Sequence, residues 1–270
     1  MTKQFLILGN ARTGTTFLQT LLDSHSEIKS YGEILHLLAK PKRQLHQFLE
    51  DPINFLENQV YVNHPRPIKA VGFKTLYTQM GEDSIFLSNM DTRNVCLEIK
   101  TKREIFSEYM RRNFDLVEIR QRFADLSDYL QAQEDIRIIH IKRKNKLDSY
   151  LSRRLAEQSG VWNSTTGSYN VDKIHLDFED CLKYFQNTEA FENKFDQMFK
   201  KHPVITIYYE DMVRDTSQTV SSILTFLGLN MERLSSPLTK QNRREAASLI
   251  SNYQQLREQF KDHKWKELFN

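Results

Sequence analysis

The chain is poor in the features that mark secreted, metal-binding and membrane proteins. It has two cysteines in 270 residues, Cys96 and Cys181, which form neither a disulfide framework nor a metal-binding pattern and indicate a reducing compartment. Long apolar runs are missing: Phe5–Leu8 is too short for the core of a signal peptide, and Arg12 follows it closely. We therefore expect a cytoplasmic protein with neither a secretory signal nor a membrane span.

A large excess of charge is also missing. The formal net charge is +3, which does not favour nucleic acid as a partner. Local basic clusters occur at Lys142–Lys144, at Arg153 and Arg154, and at Lys240–Arg244, and each alone is typical of a solvated face. With 39% hydrophobic and 27% charged residues, the chain can bury the core of one α/β domain, which we expect over residues 1–270.

A glycine loop near the N-terminus lacks one residue of a nucleotide-hydrolysing loop. In FLILGNARTGTTFLQTLL (Phe5–Leu22), Gly9 and Gly14 have the spacing of a nucleoside-triphosphate loop, but Thr15 stands where that loop has its lysine. Backbone N–H groups and a helix beginning near Thr13 would still surround an anion. On this motif alone, an ordinary strand–turn–helix without a ligand is an equal alternative.

Apolar runs alternate with helical segments along the rest of the chain. Runs typical of strands occur at Phe5–Leu8, Ile68–Phe73, Ile136–Ile141 and Val204–Tyr208, and Val95–Ile99 is a further candidate. Apolar residues at helical spacing predict one or two long helices between 171 and 202, a helix ending at Gly228, and another over 244–260. This alternation predicts an α/β fold with a central parallel sheet flanked by helices.

A second group of cations follows the third predicted strand. In IRIIHIKRKNKLDSYLSRRLA (Ile136–Ala156), the apolar run meets the cations at Lys142–Lys144, and the next helix carries Ser149 and Ser152. The carboxyl ends of parallel strands meet at one edge of a sheet, so this group and the glycine loop would form two anion sites on the same edge. Two such sites indicate a nucleotide that is phosphorylated at two positions.

These motifs, taken in order, resemble those of sulfotransferases that use 3'-phosphoadenosine-5'-phosphosulfate (PAPS), in particular the bacterial carbohydrate-type group that includes nodulation-factor sulfotransferases. The similar stretches span most of the chain: GNARTGTTFL (Gly9–Leu18), SHSEIKSYGEIL (Ser24–Leu35), VGFK (Val71–Lys74), Lys144 with Asn145 and Ser152, ITIYYEDMVRDTSQTVSSILTFLGL (Ile205–Leu229) and TKQNRREAASLISNYQQL (Thr239–Leu256). The resemblance implies an enzyme with a three-layer, P-loop-like α/β fold that uses PAPS as co-substrate and needs no metal.

The resemblance also implies which residues bind the donor. The 5'-phosphosulfate would lie in the first loop, at Arg12, Thr13, Gly14, Thr15 and Thr16. The 3'-phosphate would lie at Ser152 together with Arg143 or Lys144, and the sequence leaves both cations open. A C-terminal loop would close over the nucleotide through Lys240, Gln241 and Asn242.

Three residues match catalytic positions of the family. Glu33 matches the general base of the bacterial group, because the histidine that animal cytosolic relatives carry after the strand of Lys74 is absent. Arg12 would stabilise charge on the leaving group, and Lys74 would contact the sulfuryl group or the acceptor. We expect burial to raise the pKa of Glu33 so that it can act as a base. The alternatives are that Glu33 caps a helix beginning at Ile34 or pairs with a nearby cation, and that Lys74 is a solvated strand-end lysine.

The acceptor hydroxyl is implied by the resemblance alone: a carbohydrate or glycolipid is favoured, and a peptide tyrosine or a small alcohol stays open.

Two further features of the sequence have structural alternatives. Glu210 and Asp211 are predicted to cap a helix or to brace a basic loop, and Ser159–Tyr169 is either a substrate-binding lid or a connection without a function of its own. A rival hypothesis, a P-loop kinase or nucleotide hydrolase, needs a lysine after Gly14. A second rival, a nucleotide- or nucleic-acid-binding module without catalysis, would not need Glu33.

Overall fold

One parallel sheet organises the molecule. The computed structural model describes residues 2–62, 64–65, 67–81, 97–163, 172–238 and 245–269. Its strands are β1 (Lys3–Gly9), β2 (Ile28–Glu33), β3 (Ala70–Leu76), β4 (Arg137–Lys142) and β5 (Val204–Tyr208). They pair in the order β2–β3–β1–β4–β5, and every pair is parallel. The predicted α/β fold with a parallel sheet is therefore confirmed.

Helices connect the strands and cover the sheet. They are α1 (Thr15–Asp23), α2 (Lys42–Glu50), α3 (Pro52–Phe55), α4 (Leu97–Asn113), α5 (Leu116–Ala132), α6 (Lys146–Ser159), α7 (Phe178–Met198), α8 (Tyr209–Arg214), α9 (Thr216–Leu227), α10 (Ala246–Leu249) and α11 (Tyr253–Gln259). A short 3₁₀ turn, Tyr77–Gln79, follows β3. Within the described ranges, none of these helices is long and apolar enough to cross a bilayer.

Alternation along β1 shows why the fold has three layers. Phe5 and Ile7 pack into one core cluster with residues of α1 and α9, whereas Leu6 and Leu8 pack into another with residues of α2 and α5. All four side chains are completely buried. Because successive side chains of a strand point to opposite faces, an uninterrupted apolar run indicates a strand that is covered on both sides.

Three sequence predictions differ from the structure. Strand β2 was not predicted, because it lies at the edge of the sheet and its residues IKSYGE contain no apolar run. The candidate strand Val95–Ile99 is wrong where it can be judged, since α4 begins at Leu97 and residues 95–96 lie outside the described ranges. A short apolar run does not distinguish strand from helix.

The third difference concerns the C-terminal helix predicted over 244–260. It is divided into α10 and α11 because the backbone between them bonds elsewhere. Ile174 N donates to the Leu249 carbonyl at 2.8 Å, and Ser251 N donates to the Ile174 carbonyl at 2.9 Å. Ile174 and Ile250 thus form a parallel bridge, and Ile174 is not part of the long helix, which begins at Phe178.

Candidate active site

The loop between β1 and α1, residues Gly9–Thr16, is called here the first anion loop. Gly14 is the N-cap residue of α1 and has a φ of 86°, a conformation that favours glycine. A Cβ atom at this position would lie 2.8 Å from both Met212 Cε and Tyr209 Cδ2. Because glycine has no side chain to cap the helix, the first-turn N–H groups of α1 are left for an anion.

Arg12 lies at the centre of the site. It is the one non-glycine residue with a positive φ, 67°, in the described part of the chain. Its Nε donates to Ser152 Oγ at 3.0 Å, and its Nη1 donates to the carbonyl of Trp162. Its own carbonyl accepts from Arg143 Nη1 at 3.1 Å. Arg12 therefore joins the first anion loop to the segment after β4.

That segment, residues Lys142–Ser152, is called here the second anion turn. Asn145 caps α6, because its Oδ1 accepts from Asp148 N at 3.0 Å. Glu210, in the first turn of α8, accepts from the backbone N–H groups of Lys144 and Asn145, both at 3.1 Å. Asp211 accepts from Lys144 Nζ at 2.9 Å. The prediction that Glu210 and Asp211 brace a basic loop is confirmed.

Arg143 and Lys144 point in different directions. The Arg143 guanidinium lies 4.5 Å from the centroid of the Tyr209 ring and reaches the carbonyl of Arg12. Only 12% of its side chain is exposed. Lys144, by contrast, is 52% exposed and pairs with Asp211 at the surface. Of these two cations, Arg143 is therefore the one that faces the first anion loop.

Glu33 lies at the end of β2, directly opposite Lys74 in the register with β3. Lys74 Nζ donates to Glu33 Oε1 at 2.5 Å and to Thr16 Oγ1 at 2.6 Å. The lysine side chain is 3% exposed, so the alternative of a solvated strand-end lysine is wrong. No helix begins at Ile34, since the strand is followed by a turn, and Glu33 does not act as a helix cap. The alternative that Glu33 pairs with a nearby cation is confirmed, because it forms an ion pair with Lys74.

The protonation of Glu33 differs from the sequence expectation. Burial raises the pKa of this carboxyl, but the charge and hydrogen bond of Lys74, the hydrogen bond of Gln79 and the charge of His36 outweigh it. The net effect is to lower the pKa of Glu33, so the expectation of a raised pKa is wrong. Glu33 is therefore ionised at neutral pH, which leaves the carboxylate without a proton but makes it a weaker base than a carboxylate with an ordinary pKa.

One face of α7 carries polar residues that the sequence does not single out, because apolar residues at helical spacing already account for this helix. They recur at every fourth position: Tyr184, Thr188, Glu192 and Asp196. Tyr184 Oη lies 2.9 Å from Ser149 Oγ, Thr188 accepts from Asn10 at 3.0 Å, Glu192 from Lys146 at 3.2 Å, and Asp196 from Lys142 at 2.6 Å. The spacing alone was the available signal for this polar stripe, which braces both anion segments.

Asp196 also holds a buried histidine beside the second anion turn. His140 Nδ1 lies 3.0 Å from Asp196 Oδ1, and its Nε2 lies 2.6 Å from Tyr77 Oη. Burial and the charge of Lys142 lower the pKa of His140 to about 4, against the opposing effect of Asp196. His140 is therefore neutral at neutral pH.

Some predicted residues cannot be placed. Lys240, Gln241 and Asn242 lie outside the described residues, as does the part of the Ser159–Tyr169 loop from residue 164 onward. The described residues bring together Arg12, Arg143, Ser152, Lys74 and Glu33 along the carboxyl edge of the sheet, whereas Lys144 faces away from Arg12.

Comparison with known proteins agrees with this architecture. The sequence profile of the sulfotransferase family matches residues 4–233. Nodulation protein H of Rhizobium tropici is 25% identical over 262 residues, covering 95% of this chain and 88% of that protein. Nodulation protein H of Rhizobium meliloti is 25% identical over 271 residues, covering 99% of this chain and 95% of that protein.

A solved structure shows the same fold. The sulfotransferase from Alicyclobacillus acidocaldarius matches 96% of this chain and 90% of its own with a TM-score of 0.50, at 15% identity. The resemblance inferred from the motifs and the predicted three-layer, P-loop-like fold are confirmed. The chain belongs to the sulfotransferase family of transferase enzymes.

Proposed function

We propose that this sulfotransferase moves the sulfuryl group of PAPS to a hydroxyl group of a carbohydrate or glycolipid. The observation that carries the proposal is the position of Arg12, which contacts Ser152 and Arg143 of the second anion turn from within the first anion loop. A donor with phosphate groups at two ends needs two anion segments on one edge of the sheet, and Arg12 is the residue that connects the two. Glu33 and Lys74 lie on the same edge of the sheet.

The residues of the site fit such a donor. The first anion loop offers the N-terminus of α1 and the guanidinium of Arg12 for the 5'-phosphosulfate, and Thr16, whose hydroxyl oxygen accepts from Lys74, keeps its own proton to donate. Thr15 is buried at the start of α1, and its contact with the donor stays a prediction. At the second anion turn, Arg143 Nε is buried and has no hydrogen-bond acceptor among the described residues. A 3'-phosphate held by Arg143 and Ser152 would supply one.

The chemistry follows from the placement of three side chains. In the transfer, the acceptor oxygen would form a bond to the sulfur of PAPS while the bond from that sulfur to the bridging oxygen of the 5'-phosphate breaks, and 3'-phosphoadenosine-5'-phosphate would leave. The ionised Glu33 carboxylate would take the proton of the attacking hydroxyl. Arg12 would stabilise the charge that develops on the leaving oxygen, and Lys74, bonded to both Glu33 and Thr16, would lie between base and donor. Arg12 and Lys74 supply the positive charge that this transfer needs, so the proposal includes no metal.

The class of acceptor rests on the relatives. Identity of 25% to two Nodulation protein H chains over nearly the whole length supports a carbohydrate acceptor. A peptide tyrosine and a small alcohol are the alternatives that the assay below separates. A single domain over residues 1–270 and a cytoplasmic location stay predictions.

Transfer from radiolabelled PAPS tests the proposal. Candidate acceptors are neutral oligosaccharides, a glycolipid, a tyrosine-containing peptide and a phenol. We expect label in an oligosaccharide or glycolipid, and we expect Glu33→Gln to reduce turnover about 10²- to 10⁴-fold while nucleotide affinity stays within a few-fold. Glu118→Gln, which removes an exposed carboxylate on α5, is the matched control. Full turnover by Glu33→Gln would remove Glu33 from the role of base.

A further inference from the structure

A second residue holds Glu33 from the other oxygen of its carboxylate. Gln79 ends the 3₁₀ turn after β3 and is 5% exposed. Its Nε2 donates to Glu33 Oε2 at 2.5 Å, whereas Lys74 donates to Oε1. Two donors on different oxygens fix the plane of a carboxylate that one donor would leave able to rotate.

The orientation of the Gln79 amide is set by the backbone. Gln79 Oε1 accepts from Leu76 N at 3.0 Å. Because a backbone N–H can only donate, the amide oxygen has to face Leu76, and the NH₂ group then has to face Glu33. Gln79 therefore always presents a donor to the carboxylate, and it brings no charge of its own.

We infer that Gln79 is a positioning residue for the general base, holding Glu33 Oε2 so that Oε1 is the oxygen that receives the acceptor proton. The inference rests on the proposed function, in which Glu33 is the base. Each carboxylate oxygen has two acceptor positions, so Oε1 can bind Lys74 and still accept from a hydroxyl. Lys74 also contacts Thr16, which places Oε1 on the side of the donor loop.

The charged groups around Glu33 determine the direction of the pH effect. Lys74 of β3 and His36, which follows β2, are the charged or titratable groups that act on it, whereas Gln79 is neutral. A hydrogen bond to the ionised form stabilises that form and lowers the pKa. Removal of the Gln79 donor should therefore raise the pKa of Glu33, and the acid limb of kcat/KM should move to higher pH.

The test is Gln79→Met, which keeps the length of the side chain and removes the donor. With PAPS and the best acceptor from the radiolabel assay, we expect kcat to fall about 10- to 10²-fold, because the base is displaced. The acid limb should move upward, and the affinity for 3'-phosphoadenosine-5'-phosphate (PAP) should stay within about two-fold of wild type. Gln79→Glu, which has the same size and still accepts from Leu76 N, places a negative charge at Oε2 and should move the acid limb further. Gln79→Glu is the variant to measure if Gln79→Met does not fold.

Gln19→Met is the matched control. It removes a glutamine donor to the same strand, the 2.7 Å bond from Gln19 Nε2 to the Ser30 carbonyl, without touching Glu33. If Gln79→Met and Gln79→Glu behave like Gln19→Met in kcat and in pH profile, while Glu33→Gln is inactive, the inference is wrong and the proposed function stands. If Glu33→Gln keeps its turnover, the proposed function itself loses its base.

Discussion

The two anion segments lie on one edge of the sheet but are built differently. The first anion loop is shaped by its backbone, through the positive φ of Arg12 and Gly14, and carries one cation. In the second anion turn, each cation has a carboxylate partner: Lys142 with Asp196, Arg143 with Asp148 and Glu210, Lys144 with Asp211, and Lys146 with Glu192. The first segment therefore depends on conformation, and the second on paired charges. We expect the first to control turnover and the second to control which nucleotide binds.

Within the two anion segments, the largest effect should come from Arg12. Arg12→Ala removes the cation of the first anion loop and should lower kcat about 10²- to 10³-fold, since it deletes a donor aimed at developing charge. The affinity for PAP, measured by calorimetry, should change by no more than a few-fold. Equal losses in turnover and affinity would mean that Arg12 binds the nucleotide without favouring the transition state.

The backbone shape of the first anion loop can be tested at Gly14. Gly14→Ala forces a side chain into a positive φ and against Met212 and Tyr209, so we expect a loss of about 1–3 kcal/mol in the free energy of unfolding. Gly32→Ala is the matched control near Glu33, because a Cβ there would meet nothing within 4 Å. Denaturant melts should show little change for Gly32→Ala. Similar stabilities for both variants would contradict the role given to the backbone.

At the second anion turn, the two neighbouring cations should behave differently. Arg143→Ala should lower the affinity for PAP about ten-fold, as expected for the loss of a charge-assisted contact. The same variant should also lower the affinity for adenosine-5'-phosphate slightly, because Arg143 donates a hydrogen bond to the carbonyl of Arg12 in the first anion loop. Lys144→Ala removes an exposed ion pair and should change PAP affinity less than two-fold. A larger effect from Lys144→Ala would transfer the 3'-phosphate contact to Lys144.

The smallest effect concerns the stability of the protein in acid, through His140, which lies between Asp196 and Tyr77 beside the second anion turn. The pKa of His140 is lowered to about 4, so the unfolded chain binds this proton at higher pH than the folded protein does. Its contribution to stability is therefore present above the ordinary histidine pKa of about 6.5 and is lost as the pH falls toward 4. We expect a loss of about 1 kcal/mol near pH 5.5, measured by thermal melts. His140→Gln should reduce this slope, and an unchanged slope would exclude His140 as its source.

The sequence predicted the parts of the site that lie in short continuous motifs. Arg12 and Glu33 were identified because each lies in a stretch that resembles the family. Gln79 was not, because its contact with Glu33 depends on β2, an edge strand without an apolar run, and on the register shift between Tyr31 and Glu33 that brings Glu33 opposite Lys74. A shift of one residue changes which face a side chain occupies, and spacing in sequence does not reveal it.

The choice between Arg143 and Lys144 shows the same limit. Both are cations in the same turn, and their directions are decided by partners distant in sequence: the Tyr209 ring and the Arg12 carbonyl for Arg143, and Asp211 for Lys144. Sequence spacing alone favours neither. The polar stripe of α7 was likewise hidden, since apolar residues on the same helix already explained its packing.

The most direct test of the account is calorimetric titration of the protein at one fixed salt concentration with PAP, with adenosine-5'-phosphate and with ATP plus magnesium. If the two anion segments hold one nucleotide between them, PAP should bind at least about ten-fold more tightly than adenosine-5'-phosphate, and ATP with magnesium should bind weakly. Preference for ATP with magnesium, or equal affinity for PAP and adenosine-5'-phosphate, would contradict the account, because the second anion turn would then not recognise a 3'-phosphate.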